Sequence, residues 1–381
     1  MKRIAVITGT RADYGILKSV LKEIEASPKL ELSLVAVGMH LSTEFGYTIK
    51  EIEKDGFQID AKIDALHRED TRAAMARSIG RSVIGITDSL ERKGPDVLLL
   101  LGDRSEMLAG AIAATYMSIP IAHIHGGDIS GNVDEPVRHA ITKLAHIHFA
   151  ATKESAERII KMGEEPWRVH VVGAPGLDLA LNTKLPEPRE IAKKYRLDLS
   201  KPILLVVQHS VVTEMQNAAS QIRETLESIV ELGYQTVLIY PNADAGGRRM
   251  IKVIKEYEKY PFIKTFKSIP HEEYLGLIRL ASVMVGNSSS GIIEAPSFKL
   301  PVVNIGTRQI GRQRAENIVD VGYSKRDIKK AIQKALFDEK FKGKVKNCKN
   351  LYGDGQAGIR IATILSELRI SRRLLEKRMT Y

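Results

Sequence analysis

The sequence predicts an α/β protein built from two doubly wound parallel sheets, one in each half of the chain. Three observations carry this. Short runs of Val, Ile and Leu alternate with longer amphipathic stretches. Runs that are apolar throughout mark parallel strands covered on both faces, and the amphipathic stretches between them read as crossover helices. The length, 381 residues, exceeds one ordinary domain and suits two of roughly 150–200.

In the first half the strand runs are Arg3–Ile7, Leu32–Val37, Val97–Leu101, Pro120–Ile124, Ile147–Ala151 and Val169–Val172. In the second they are Ile203–Val207, Thr236–Tyr240, Phe262–Phe266, Val283–Val285 and Val302–Ile305. The series breaks once, between Ala174 and Pro202, where Pro and charge replace apolar runs. That stretch reads as a linker plus a short helix, with the domain boundary near 175–200. A last helix is expected over Gly358–Arg378. Two such domains leave a cleft between them, a common place for a ligand.

Composition narrows the class. Cys348 is the single cysteine, so no disulfide framework forms within the chain and a reducing cytoplasm is the expected setting. The start, MKRIAVITGTRADYG, turns polar too soon for a signal peptide, and no run approaches the roughly 18 apolar residues of a membrane span. The formal charge of +11 suggests an anionic partner. It is uneven: 16 basic and 6 acidic residues lie between Lys325 and Arg378, leaving 41 basic and 40 acidic before them. The body is nearly neutral, and the terminal surplus reads as a solvated surface.

Ligands of open parallel sheets bind beyond the carboxyl ends of the strands. The first strand runs into Thr8-Gly9-Thr10-Arg11-Ala12-Asp13-Tyr14-Gly15 and a helix. Backbone N–H groups can approach an anion there, although the G-x-G-x-x-G dinucleotide spacing is absent. An ordinary turn with Asp13 as helix cap accounts for it equally well. The strand VLLLL ends in Gly102-Asp103-Arg104-Ser105-Glu106. A cap explains Asp103 but not Arg104, a cation at the positive end of a helix. Residues 121–151 hold His123, His125, His139, His146 and His148. Their H-x-H pairs invite a metal, but no cysteine helps and the strand pattern turns alternate residues to opposite faces, so no metal is expected. Asp134-Glu135-Pro136 reads as a helix start, with Asp134 and Arg138 one turn apart. A capped helix with a salt bridge competes with a catalytic reading there.

In the second half, Gln208-His209-Ser210 and Pro241-Asn242-Ala243-Asp244 follow strands. A structural and a chemical role for His209 weigh equally. The strongest segment is Gly286-Asn287-Ser288-Ser289-Ser290-Gly291-Ile292-Ile293-Glu294. Hydroxyls and free N–H groups at a helix start make an anion cradle, Glu294 can accept a ribose diol, and Arg308 follows the next strand. Together these suggest a nucleoside diphosphate.

In this order the motifs TGTRADYG, GDRSE, HIHGG with DEPVRHAITKLAHIHF, QHS, PNADAG, GNSSSGIIEAP and NIGTRQIGR resemble the hydrolysing UDP-N-acetylglucosamine 2-epimerases over residues 1–320. The resemblance implies a GT-B fold: Rossmann-like domains over 1–178 and 179–361, a UDP-sugar in the cleft, and residues 362–381 crossing back to the first domain. It implies elimination of UDP to 2-acetamidoglucal, then hydration with inversion at C2, without cofactor. UDP contacts fall on Arg11, Asp13, Arg104, His209, Asn242, Gly286, Ser288, Ser289, Ser290, Glu294 and Arg308. Asp103 and Asp134 look like the acid/base pair, with His125, Glu135, Arg138 and His209 completing the catalytic set. Many relatives carry a glutamate in place of His125. UDP-GlcNAc is the first substrate expected and UDP-N,N′-diacetylbacillosamine the second. A homodimer or homotetramer is expected.

Three other readings rank below. A GT-B glycosyltransferase shares the fold but needs an acceptor. A non-hydrolysing epimerase is disfavoured because its relatives carry a lysine shortly after GTR, where this chain has Ile16. A nucleic-acid binder would interleave its cations with stacking aromatics, and the basic segment holds only Phe337, Phe341, Tyr352 and Tyr381. The basic final helix could lie on a membrane, but packing on the first domain is preferred.

Overall fold

The computed structural model describes residues 1–130, 134–378 and 380. Tyr381, counted above, and the end of the 362–381 segment at Met379 lie outside them. The first sheet comprises β1 (Lys2–Thr8), β2 (Leu30–Val37), β3 (Ile59–Ile63), β4 (Val97–Leu101), β5 (Ile121–Ile124), β6 (Ile147–Ala150) and β7 (Val169–Val171). The second comprises β8 (Ile203–Val207), β9 (Gln235–Ile239), β10 (Ile263–Phe266), β11 (Val283–Gly286), β12 (Val302–Ile305) and β13 (Ile318–Val321).

The strand orders are β3-β2-β1-β4-β5-β6-β7 and β10-β9-β8-β11-β12-β13, and the pairings are parallel. Alternation along each strand builds two cores per sheet. Ile4, Val6, Leu99 and Leu101 pack on one face of the first sheet, and Ala5, Ile7, Leu98 and Leu100 on the other. In the second, Leu204 and Val206 face one side, and Ile203, Leu205 and Val207 the opposite side. Truncating any of these leucines to Ala would cost about 2–5 kcal/mol in transfer and cavity terms.

In both sheets the winding direction reverses once, between β1 and β4 and between β8 and β11. At such a reversal neighbouring crossover helices diverge and leave a crevice at the strand ends. The four segments that follow these strands are TGTRADYG, GDRSE, QHS and GNSSSG. The topology therefore brings four separated motifs to two points.

Several elements differ from the sequence reading. Strands β3 and β13 were not expected. Both are sheet edges with half-exposed residues, so neither shows an unbroken apolar run. The stretch read as a linker plus one short helix folds into two helices, Gly176–Asn182 and Pro188–Tyr195. The second opens with Pro188 and a capping box from Glu187 and Glu190, and Ile191 and Tyr195 pack into the second sheet's core. The single last helix is broken into Ala357–Glu367 and Arg372–Leu375. Lys2 Nζ donates to the carbonyls of Leu365, Ser366 and Leu368, ending the first piece, and the Ser371 side chain caps the second. Ile361, Ala362 and Leu365 join the first sheet's core beside the helix Arg11–Ala26. No helix among the described residues is long and apolar enough to cross a membrane.

Candidate active site

The crevices of the two sheets face each other across a cavity of about 1320 Å³, open to solvent. Thr10, not Asp13, caps the helix Arg11–Ala26, its side chain accepting from Asp13 N at 3.2 Å. That leaves Asp13 in the first turn, buried, with Arg104 3.6 Å away. Arg11 stacks on Tyr274 of the second sheet's domain, 5.1 Å from its ring centre. Gly15 permits this approach, since a Cβ there would stand 2.5 Å from the His271 ring.

Beyond β4 the helix cap is Arg104, so capping does not explain Asp103. Asp103 instead takes a hydrogen bond from Arg138 Nη2. Arg138 thus pairs with Asp103 and not with Asp134, so the local salt bridge within the helix Asp134–Leu144 is replaced by a link between two strand ends. Arg104 lies among Glu106, Asp13 and Asp244 at 3.5, 3.6 and 3.7 Å. Burial opposes its charge, but Glu106, Asp244 and Asp13 more than offset this and raise its pKa. Its charge is therefore largely satisfied by carboxylates, which argues against a free phosphate ligand.

The histidines separate by environment. His123 Nε2 donates to the Gly102 carbonyl at 2.7 Å, and burial lowers its pKa to about 3. Ile121 N donates to His146 Nδ1, and His148 pairs with Glu164 at 3.1 Å. His139 lies 3.7 Å from Glu135. His125 alone of the five lines the cavity, with a left-handed φ of 63° that is uncommon for a residue with a Cβ. Among the described residues no group of three potential ligands could hold a metal.

In the second half, His209 N donates to Asn287 Oδ1 at 2.7 Å and Asn287 Nδ2 to the His209 carbonyl at 2.9 Å, locking the ends of β8 and β11 together. Asn242 N donates to His209 Nδ1 at 3.2 Å. Burial, then Arg308, Arg104 and Arg11, push the His209 pKa well below its ordinary value. A neutral imidazole whose Nδ1 accepts carries its proton on Nε2 and can donate from there. Glu294 is buried, its pKa raised mainly by desolvation, and its Oε2 has no hydrogen-bond partner among the described residues. A buried carboxylate oxygen without a partner on a cavity wall is suited to accept a hydroxyl.

Of the residues singled out from sequence, Arg11, Asp13, Asp103, Arg104, His125, Arg138, His209, Asn242, Ser288, Ser289, Ser290, Glu294 and Arg308 line the cavity. Three do not. Asp134 lies 3.3 Å from Arg308, which does line the cavity. Glu135 turns back to accept from Ser130 N at 2.8 Å. Gly286 is required by the backbone: its φ is 131°, and a Cβ would meet the Val207 carbonyl at 2.1 Å. The helix after the serines is one turn, Ser290–Ile293, so the expected anion cradle has little helix dipole behind it. Sequence reading missed Arg312, His271 and Tyr274 on the cavity wall. Arg312 lies in a loop outside any strand end, and the others open the helix His271–Leu280.

Comparison with known proteins places this geometry. The chain is 40% identical over 381 residues, all of both chains, to the Legionella pneumophila UDP-N,N′-diacetylbacillosamine 2-epimerase (hydrolyzing). It is 36% identical over 341 residues to a Neisseria meningitidis UDP-N-acetylglucosamine 2-epimerase, covering 90% of this chain and 89% of the other. It shares the fold of a Neisseria meningitidis UDP-GlcNAc 2-epimerase crystallised with UDP-GlcNAc, with a TM-score of 0.80, 19% identity, and 97% and 100% coverage. The family model described as UDP-N-acetylglucosamine 2-epimerase matches residues 22–366, so the chain belongs to the UDP-N-acetylglucosamine 2-epimerase family.

Proposed function

We propose that this protein is a hydrolysing 2-epimerase that converts UDP-GlcNAc and water to N-acetylmannosamine and UDP. One observation carries the reading: the two crevices face each other, the first bringing Asp103 and His125 beside Arg11, the second His209, Ser288–Ser290, Glu294 and Arg308. A base on the first side takes the C2 proton. The C2–H electron pair forms the C1–C2 double bond, and the C1–O pair departs with the diphosphate. Asp103, His125 and Asp134 are the candidates for this proton and for the one returned to C2 when water adds at C1. Arg308, Arg11 and the Nε2–H of His209 stabilise charge as it develops on the leaving oxygen. Glu294 takes the ribose hydroxyls and Ser288–Ser290 the phosphates.

A second substrate, UDP-N,N′-diacetylbacillosamine, is favoured by the full-length similarity to an enzyme named for it. The elimination chemistry is shared, because both sugars carry the 2-acetamido group and the C2 hydrogen. Supplying both sugar nucleotides without acceptor, in deuterated water, tests the reading. UDP release with deuterium at C2 of the freed sugar is expected, and the faster substrate identifies the sugar. Turnover of neither, or turnover only with an added acceptor, overturns it. We further propose a cytoplasmic homo-oligomer supplying a 2-acetamido sugar for sialic- or legionaminic-acid synthesis. A 35% identical relative over 370 residues, the Escherichia coli polysialic acid biosynthesis protein P7, supports that setting.

A further inference from the structure

Among the described buried carboxylates outside the proposed steps, Asp128 alone contacts His125. Asp128 stands three residues beyond His125, with its Oδ2 3.3 Å from His125 Nδ1. Its Oδ1 accepts from the Ser155 hydroxyl at 2.7 Å. The Arg312 guanidinium, from the other half of the molecule, lies 3.6 Å from Oδ2. The Asp128 backbone carbonyl accepts from Arg138 Nη1 at 2.8 Å, and the Arg138 guanidinium also holds Asp103. Burial works to raise the Asp128 carboxyl, but the hydrogen bond and charge of His125, then Arg312 and Ser155, hold it below the usual carboxylate range. An ionised carboxylate only accepts, so the proton of the His125 contact sits on Nδ1. In the neutral ring, His125 Nε2 is then the nitrogen with the free lone pair.

We infer that Asp128 is a positioning residue that, with Ser155 and Arg312, holds His125 in the Nδ1–H tautomer, so that Nε2 exchanges a proton with the sugar. The inference rests on the proposed reaction for its consequence, though not for its geometry. A carboxylate that fixes the tautomer and orientation of a working imidazole is a recurrent device. Here it also accounts for a histidine kept at a left-handed φ in a buried loop, a conformation that persists where surrounding contacts enforce it. Because Arg312 comes from the second half, the arrangement is complete only when the cleft is assembled.

Asp128→Asn preserves shape and removes charge. The kcat for UDP release should fall about 10- to 100-fold, with KM within about threefold of wild type. In a His125→Ala background the same substitution should cost less than about twofold, since Asp128 acts through the ring already removed. An unchanged kcat, or the full loss repeated without His125, overturns the inference. Ser155→Ala takes one hydrogen bond and no charge from Asp128. It should give a smaller fall of the same kind, and it stands in for Asp128→Asn if that variant does not fold. The tautomer is also readable without turnover, from nitrogen-15 shifts of labelled histidine side chains. Wild-type His125 should be protonated at Nδ1 and should move toward Nε2–H in Asp128→Asn or, in smaller measure, in Ser155→Ala. A wild-type ring protonated at Nε2 overturns the positioning role whatever the activity. An Nδ1–H ring in a protein that releases no UDP from either sugar would instead overturn the proposed reaction alone.

Discussion

Asp13 ties the stability of the cleft to pH. Burial is the largest influence on it, Arg104 pulls the other way, Glu106 adds to the rise, and the result is a pKa moved from 3.8 to about 6. The folded state therefore keeps the Asp13 proton to higher pH than the unfolded chain does. Ionised Asp13 costs stability above about pH 6, and that cost disappears below about pH 4. Asp13→Asn should thus stabilise the protein at pH 7.5 by about 1–3 kcal/mol, with the gain shrinking as pH falls from 6 to 4. Thermal melts at several pH values check this, and a gain independent of pH would mean that packing, not charge, is responsible. At this scale the sequence revealed residues standing directly after strands, such as Asp103 and His209, because backbone topology alone sends them to the crevice. It hid Asp128 and Arg312, which matter through one another although they are distant in the chain.

The helix Asp134–Leu144 carries Asp134 and Arg138 near its start and is held at its far end by the last residues of the chain. Lys377 Nζ donates to the carbonyls of Thr142, Lys143 and Ala145 at 3.2, 2.6 and 2.7 Å and meets Glu164 at 2.7 Å. Arg168 fixes the same segment through the carbonyls of Arg373 and Leu374 at 2.8 and 2.9 Å. A cation on the last carbonyls of a helix satisfies orphan acceptors and complements the dipole. Lys377→Ala should therefore lower stability by about 1–2 kcal/mol, because Glu164 keeps Lys143 and His148 as partners. It should lower kcat several-fold without changing UDP affinity, since Arg138 of this helix lines the cavity and holds Asp103. Melting curves and UDP calorimetry separate these effects, and an unchanged kcat would show that the far end is dispensable. Elements were legible from sequence where burial was complete on both faces, as in VLLLL. Edge strands β3 and β13 were not, because a half-solvated edge mixes polar residues into the run. The break in the last helix was equally hidden, since Lys2, which ends it, lies at the opposite end of the chain.

At the scale of the whole molecule, the charge surplus and the ligand site are separate matters. In the terminal segment Lys325 and Lys329 pair with Glu231 at 2.9 Å and Arg360 with Asp354 at 2.6 Å, all away from the cavity. The cleft collects five arginines, Arg11, Arg104, Arg138, Arg308 and Arg312, and four of them, all but Arg11, meet carboxylates drawn from both halves. Several of these pairs bridge the halves, Arg308–Asp134 at 3.3 Å among them, and Arg248–Glu44 at 2.9 Å lies nearer the surface. On the proposed reading, a diphosphate entering the cleft would compete with Asp134 for Arg308. If it won, Arg308 would be neutralised by phosphate and Asp134 would lose that partner, so that binding of the leaving group would change the charge beside the carboxylate. The two consequences of removing the Asp134 charge then have opposite signs. Asp134→Asn should tighten UDP binding about 3- to 10-fold, the worth of one partly exposed ion pair no longer broken on binding. The same change should lower kcat by about 100-fold or more, the usual contribution of a positioned acid or base. Raising salt should shrink the affinity gain, because partly exposed pairs are screened, and leave the loss of kcat in place. Calorimetry of UDP at two ionic strengths, beside turnover, measures both. Weaker UDP binding in Asp134→Asn would mean that Asp134 orients Arg308 toward the phosphates, and the idea of competition would fall.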